Sequence, residues 1–326
     1  MRLLRLSPLL LLGLAAGCGM KHKMTAPLVD SATTARDARA AQGARAAQDR
    51  DDDGDDPSRP GAVYTLSNAA SGNSVLAFPR DADGTLGAPT AYATGGMGSG
   101  GGLGNQGALV LSREDRRLFA VNAGSDEISV FRATRGGVSF LDKVGSGGVR
   151  PISLTRHGRW LYVLNAGGNG NITGFHIKQD GHLEPIPGST QGLGGPNVGP
   201  AQIGFSPDGE QLVVTEKATN MIAVYRVSEK GRASAPRLLP SSGMTPFGFA
   251  FNRQGVLVVS EAFGGAVNGS ATSSYRTGEH VGLAPVSRSV STRQTAACWI
   301  AISDNGRFAY ATNTGSNSIT GYAIGA

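Results

Sequence analysis

One short pattern recurs along most of this chain. It comprises an apolar strand, a tight turn, a second apolar strand, a polar corner and a third strand that closes on an aromatic residue. Its clearest copy is FSPDGEQLVVTEKATNMIAVYRV at 205–227. LVLSREDRRLFAVNAGSDEISVFR starts at Leu109 and ISLTRHGRWLYVLNAGGNGNITGFHI at Ile152. FAFNRQGVLVVSEAFGG starts at Phe249, with a longer insertion before Tyr275, and IAISDNGRFAYATNTGSNSITGYAI starts at Ile300. The first copy, VYTLSNAASGNSVLAFPRDADG, lacks the leading strand. The polar residue after the second strand falls at Asn68, Asn122, Asn165, Glu216, Glu261 and Asn313, spaced 54, 43, 51, 45 and 52 apart. The closing aromatics are Phe78, Phe131, Phe175, Tyr225, Tyr275 and Tyr322.

A period of this length excludes most folds. Turns such as Pro207-Asp208-Gly209, Arg156-His157-Gly158 and Asp304-Asn305-Gly306 tolerate positive φ and return the chain as a hairpin. Strands such as Leu212-Val213-Val214 are apolar on both faces and must be covered on both sides. Four-stranded sheets packed face to face around an axis achieve this, whereas a sandwich leaves one polar face per strand. The expectation is an all-β fold, a β-propeller of four-stranded blades, over residues 61–326. The 49 glycines and the charged fraction of 17% suit short strands joined by tight turns. Counting copies predicts four full blades plus three strands each of a first and a last, about 22 strands.

The first sixty residues read differently. A basic start, a short apolar core at 6–14 and the small residues Ala15-Ala16-Gly17 before Cys18 make a secretory signal, too short to span a bilayer. This arrangement resembles the lipobox of bacterial lipoproteins, with the leucine one position further upstream than is usual. The resemblance implies acylation of Cys18 and a membrane anchor; plain secretion and an uncleaved anchor are the alternatives. Residues 19–60 have almost no large apolar side chains and are expected to form a disordered tether. Asp49, Asp51, Asp53 and Gly54 match half an EF-hand loop, but its twelfth position is Pro60 and its eighth Asp56, so no metal is expected.

Charge and motifs narrow the function. The net charge is +6, and from residue 61 onward 21 Lys/Arg stand against 16 Asp/Glu without clustering, which argues against nucleic acid. Two cysteines at opposite ends, Cys18 and Cys298, give no disulfide framework. GLGNQG at 102–107 matches a dinucleotide fingerprint, but the residues after it alternate like strands where the fingerprint needs a helix. There is no G-x-S-x-G elbow, Walker loop, HExxH or CxxC, and no cofactor is called for.

The run SPDG…L.V…N…I.V resembles the YVTN/lactonase β-propeller family, which includes bacterial 6-phosphogluconolactonase and fungal carboxymuconate cyclase. The resemblance covers roughly residues 61–326 and implies seven blades, the last completed by strands from both termini. A chain that stops at GYAIGA then implies either a smaller ring or, the favoured reading, a ring cut short. In the lactonase enzymes the innermost strand often begins Gly-Pro-Arg-His, the pair serving as oxyanion stabiliser and acid/base. Aligned on the turns, the Arg position here holds Gly107, Arg150, Ala201, Phe247 and Cys298. The His position holds Ala108, Pro151, Gln202, Gly248 and Trp299, so only Arg150 matches. The histidines fall elsewhere: His22 in the tether, His157 and His182 in turns, His176 at a strand end, His280 in the insertion.

What remains is a candidate binding face at one channel mouth. Gln106, Arg150, Gln202, Phe247 and Trp299 are the expected ligand-binding residues, with Arg150 taking an anion and the two aromatics stacking on a ring or packing between blades. Arg150, Glu216 and Glu261 are the weak catalytic candidates, and Cys298 reads as a small buried hydrophobe. The expectation is a cell-envelope, lipid-anchored propeller that serves mainly as a binding scaffold for a sugar-acid or lactone ligand or a protein partner. The alternative is a lactone hydrolase at the channel mouth.

Overall fold

The structure is a computed structural model that describes residues 61–325, apart from 113, 135–136 and 279–281. The expectations for Cys18, His22, His280, the tether and its aspartates lie outside the described residues.

Six antiparallel sheets succeed one another in chain order. Blade one has three strands, β1 (Gly61–Leu66), β2 (Ser74–Arg80) and β3 (Thr90–Ala93). Blade two runs β4 (Leu109–Ser112), β5 (Arg117–Asn122), β6 (Glu127–Thr134) and β7 (Gly137–Gly145). In blade three, β8 (Pro151–His157), β9 (Trp160–Asn165) and β10 (Asn171–Ile177) pair in sequence. Its fourth strand is broken in two, β11 (Leu183–Pro185) and β12 (Gln191–Gly192), each pairing β10. Pro185 and Pro187 explain the break, since proline has no N–H to give the ladder. Blade four is β13 (Pro200–Phe205), β14 (Gln211–Glu216), β15 (Met221–Arg226) and β16 (Arg237–Pro240). Blade five is β17 (Pro246–Phe251), β18 (Val256–Glu261), β19 (Ala271–Thr277) and β20 (Leu283–Ser291), with a 3-10 turn at Phe263–Gly265 in its insertion. Blade six has β21 (Ala297–Ile302), β22 (Phe308–Asn313) and β23 (Ser318–Ala323). The described strands number 23 because of the broken edge in blade three; among the described residues blade one has no leading strand.

The hairpin turns form as their residues dictate. In blade four, Ser206 Oγ accepts the Gln211 N–H at 3.0 Å, Asp208 Oδ1 accepts the Glu210 N–H at 3.0 Å, and Gly209 sits at φ +75°. Blade six repeats this with Ser303, Asn305 and Gly306. His157 differs from expectation: it is the last residue of β8, with its ring tilted against Phe205.

The core lies between blades. Phe119, Val121, Ile128 and Val130 of blade two meet Leu154, Leu161, Val163 and Phe175 of blade three. Ile152, Tyr162, Leu164 and Ile172 then meet Phe205, Leu212, Val214 and Tyr225. Val213, Ile222 and Val224 meet Phe249, Leu257 and Val259, and Val256 and Val258 meet Ile300, Ala309 and Ala311. Alternate residues of one strand thus belong to two different cores, which is why these strands are apolar on both faces. Tyr162 adds a polar stitch. Its hydroxyl donates to Gly231 O at 2.7 Å and accepts the Ala233 N–H at 2.9 Å, and burial pushes its phenol up to about 12.

Candidate functional site

Each innermost strand from blade three to blade six begins after the same left-handed turn of the backbone. Arg150, Gly199, Thr245 and Ala296 stand immediately before β8, β13, β17 and β21 with φ of +56°, +60°, +56° and +55°. Left-handed backbone at a non-glycine residue costs on the order of 1–2 kcal/mol. Compensation comes from the corner after the blade's second strand. The Ala166, Lys217, Ala262 and Thr314 N–H groups bond the Arg150, Gly199, Thr245 and Ala296 carbonyls at 2.9–3.1 Å.

Just inside each start, the ladder slips. The register shifts at Pro151/Ser153, Pro200/Gln202, Pro246/Phe249 and Ala297/Ile300. Bulges of this kind re-aim side chains, and here the bulged residues include Phe247, Cys298 and Trp299. The Phe247 and Trp299 rings meet edge to face, centroids 4.9 Å apart at 67°, with Phe247 buried and Trp299 half-buried. Cys298 is buried beside them, its sulfur taking the Thr314 hydroxyl at 3.2 Å.

A strap ties the blades across the ring. Connections between blades take five residues before β8, β17 and β21 and seven before β13, but the one from β3 to β4 takes fifteen, 94–108. Its glycine-rich end at 102–107 crosses to three other blades. Asn105 Nδ2 donates to Ile152 O. Ser153 Oγ donates to Gln106 O at 2.6 Å, and Leu154 N–H to Gly107 O at 2.8 Å. Lys217 Nζ donates to Gly104 O at 2.8 Å and to Pro200 O at 3.2 Å. The Gln106 side chain reaches blade six, Nε2 donating to Ile300 O at 3.0 Å while Oε1 accepts the Ile300 N–H at 3.2 Å. Gln202 makes the same two-pronged clasp with Phe249, at 2.9 and 2.8 Å.

The expected site residues therefore separate into groups. Gln106 and Gln202 use both ends of their amides to tie blades together. Phe247 and Trp299 pack on each other at the mouth. Arg150 is exposed on the mouth, its backbone N–H held by Asp126 Oδ1 at 2.6 Å. Glu216 and Glu261 are fully buried. Glu216 accepts the Gly194 N–H at 2.8 Å and the Thr219 hydroxyl at 3.1 Å, and burial pushes its carboxyl above the ordinary range. Glu261 accepts the Gly243 N–H at 2.8 Å and the Ser273 and Ser289 hydroxyls. A Cβ on Gly194 or Gly243 would collide with the carboxylate, so glycine and acid are fitted to each other. Both acids anchor the loop that arrives from the preceding strand, the place taken by Asn122 and Asn165 against Gly96 and Gly148.

The strap also explains why no histidine stands at the blade-five position. Gly248 faces the strap and blade six so closely that a Cβ would lie 2.6 Å from both Gln106 Oε1 and Cys298 O. The residue missed by sequence reasoning is Lys217. Its ammonium sits 4.6 Å over the Phe247 ring. It comes directly after Glu216 at the corner, and only knowledge of where residues 102–107 run gives it significance.

Above the strap opens a cleft of ≈ 1010 Å³ whose wall includes Arg150, Lys217, Thr245, Phe247 and Cys298. Among the described residues that line it there is no carboxylate and no histidine. Nor do the described residues contain a group of three or more His, Cys, Asp or Glu able to hold a metal ion. The cleft can attract an anion and offer it an aromatic wall.

Fold and site together define a β-propeller with a cationic cleft lined in part by the strap. Residues 62–263 match the family described as lactonase, seven-bladed β-propeller, and the chain belongs to that family. It is similar to a candidate 6-phosphogluconolactonase from Bacteroides uniformis ATCC 8492, at 14% identity over 83% of this chain and 79% of that one, TM-score 0.62. A protein from Lactobacillus plantarum is similar at 14% identity over 81% and 78%, TM-score 0.61. At such identities the likeness shows the fold alone. No curated protein matches the chain in sequence.

Proposed function

We propose that this lactonase-family propeller is a binding scaffold that takes a small anionic ligand, of the sugar-acid or lactone kind, at the cleft without turning it over. The observation that carries the reading is the cleft lining: Arg150 and Lys217 supply positive charge, and no carboxylate or histidine among the described lining residues faces them to move a proton. The signal at 1–18 and the tether at 19–60 support an exported, lipid-anchored protein of the cell envelope, with Cys18 as the acylated residue. Family membership favours a second reading, hydrolysis of a lactone with Arg150 holding the developing oxyanion.

Incubating the full chain with 6-phosphogluconolactone and other lactones, with ring opening tracked by pH-stat titration, separates the two. The expected result is no hydrolysis above the spontaneous rate, while calorimetry detects binding of the ring-opened acids that weakens in Arg150→Ala. Turnover abolished by Arg150→Ala would overturn the scaffold reading.

A further inference from the structure

Residues 102–105 of the strap combine three properties. Three of them, Gly102, Leu103 and Gly104, form part of the cleft wall, and Asn105 directly follows. Among the described residues, the N–H groups of Gly102, Leu103, Gly104 and Asn105, like that of Gly101 before them, donate to no partner, although the Gly100 and Gln106 N–H groups bond Asn68 O and Ala201 O. Gly104 sits at φ +61°, whereas Leu103 before it stays out of the positive-φ region. Unbonded backbone N–H groups beside cationic side chains are the donors that an anion seeks.

We propose that this segment is the anion seat of the cleft, binding an oxyanion, the phosphate of a sugar phosphate or the carboxylate of a sugar acid, through its backbone N–H groups. The proposal rests on the reading of the cleft as a binding mouth and adds the group that recognises the ligand. Lys217 and Arg150 supply the countercharge from the same cleft. Lys217 also fixes the seat, because its bond to Gly104 O orients the peptide that carries the Asn105 N–H. Glycine at 102 and 104 leaves the backbone open to close approach. The sequence GLGNQG thus serves an anion without a helix behind it: the unbonded amides of an irregular strap do what a helix N-terminus does elsewhere. β4 stands where the dinucleotide fold would place its helix.

The test is a titration of the 15N-labelled full chain with inorganic phosphate and, separately, with gluconate, at ionic strength held constant with chloride. Saturable shifts of the Gly102, Leu103, Gly104 and Asn105 amides are expected with at least one of them, and which anion binds identifies the phosphoryl or the carboxylate source. Leu103→Pro, which deletes one N–H, is expected to weaken binding by about tenfold. Gly104→Ala, which strains the turn while its Cβ stays 3.6 Å from Lys217 Nζ, should weaken it in the same direction. Binding that is lost in Arg150→Ala and Lys217→Ala but leaves the strap amides unmoved and Leu103→Pro unaffected overturns the seat and leaves the binding mouth standing. Absence of saturable binding to either anion overturns both. Should Leu103→Pro fail to fold, the amide shifts of the unaltered chain decide.

Discussion

Blades four and six are built from near copies of one sequence, yet their central strands have different surroundings. In β14 every residue is buried, because blade three covers one face and blade five the other. In β22 only alternate residues are buried, Ala309 and Ala311 against blade five, while Phe308 and Tyr310 remain 40% and 42% exposed. Ile319 of β23 is 68% exposed. The same pattern of residues therefore yields a two-faced strand only where a neighbour stands on each side. The repeat specifies a blade, and the neighbours specify its energetics.

Substitutions break this comparison in order of size. Leu212→Ala removes a fully buried side chain between blades three and four and is expected to cost about 2–5 kcal/mol, read as a fall in the urea midpoint. Gln202→Ala comes next. It strips the buried Phe249 N–H and C=O of their partners, at about 1–3 kcal/mol, whereas Gln106→Ala, whose clasp on Ile300 is only part-buried, should cost less.

Glu216→Gln acts through pH. Because burial raises the native carboxyl, the native state holds the proton more tightly than the unfolded chain does. Its contribution to stability is complete below the ordinary value of 4.5 and is lost as pH rises through the raised native one. A neutral glutamine should accordingly gain on the wild type toward neutral pH, with the difference closing near pH 4.5, as urea midpoints across that range would show. A midpoint difference that does not change with pH would mean that the carboxyl titrates alike in both states. Ile319→Ala is the smallest change, expected within about 0.5 kcal/mol, and a loss comparable to that of Leu212→Ala would show that something covers blade six in solution.

Much of the fold was legible because its rules are local. Pro207-Asp208-Gly209 encodes a hairpin, and Leu212-Val213-Val214 encodes burial on both faces, whatever lies elsewhere in the chain. The site was less legible, since its parts acquire meaning only across blades. Glu216 and Glu261 looked alike at one register, and both proved to be anchors for Gly194 and Gly243, contacts that no spacing reveals. The bulges that turn Phe247 and Trp299 toward each other leave no mark in hydrophobic alternation. Least legible was the strap. A glycine-rich run has no periodicity, so nothing local tells where it goes, and Lys217 looked like an ordinary corner residue without it.

The clasp between Gln106 and Ile300 joins positions 194 residues apart, while the blade-to-blade cores need only the neighbouring repeat. A chain leaving the ribosome can therefore settle its blades one after another, each on the last. The strap must wait, because its partner in β21 is made 194 residues after it. Glycine suits that delay: a segment with almost no side chains offers little for the early blades to trap wrongly and stays free to turn inward when blade six arrives. In this propeller the clasp of the strap closes only after blades two to five have been made.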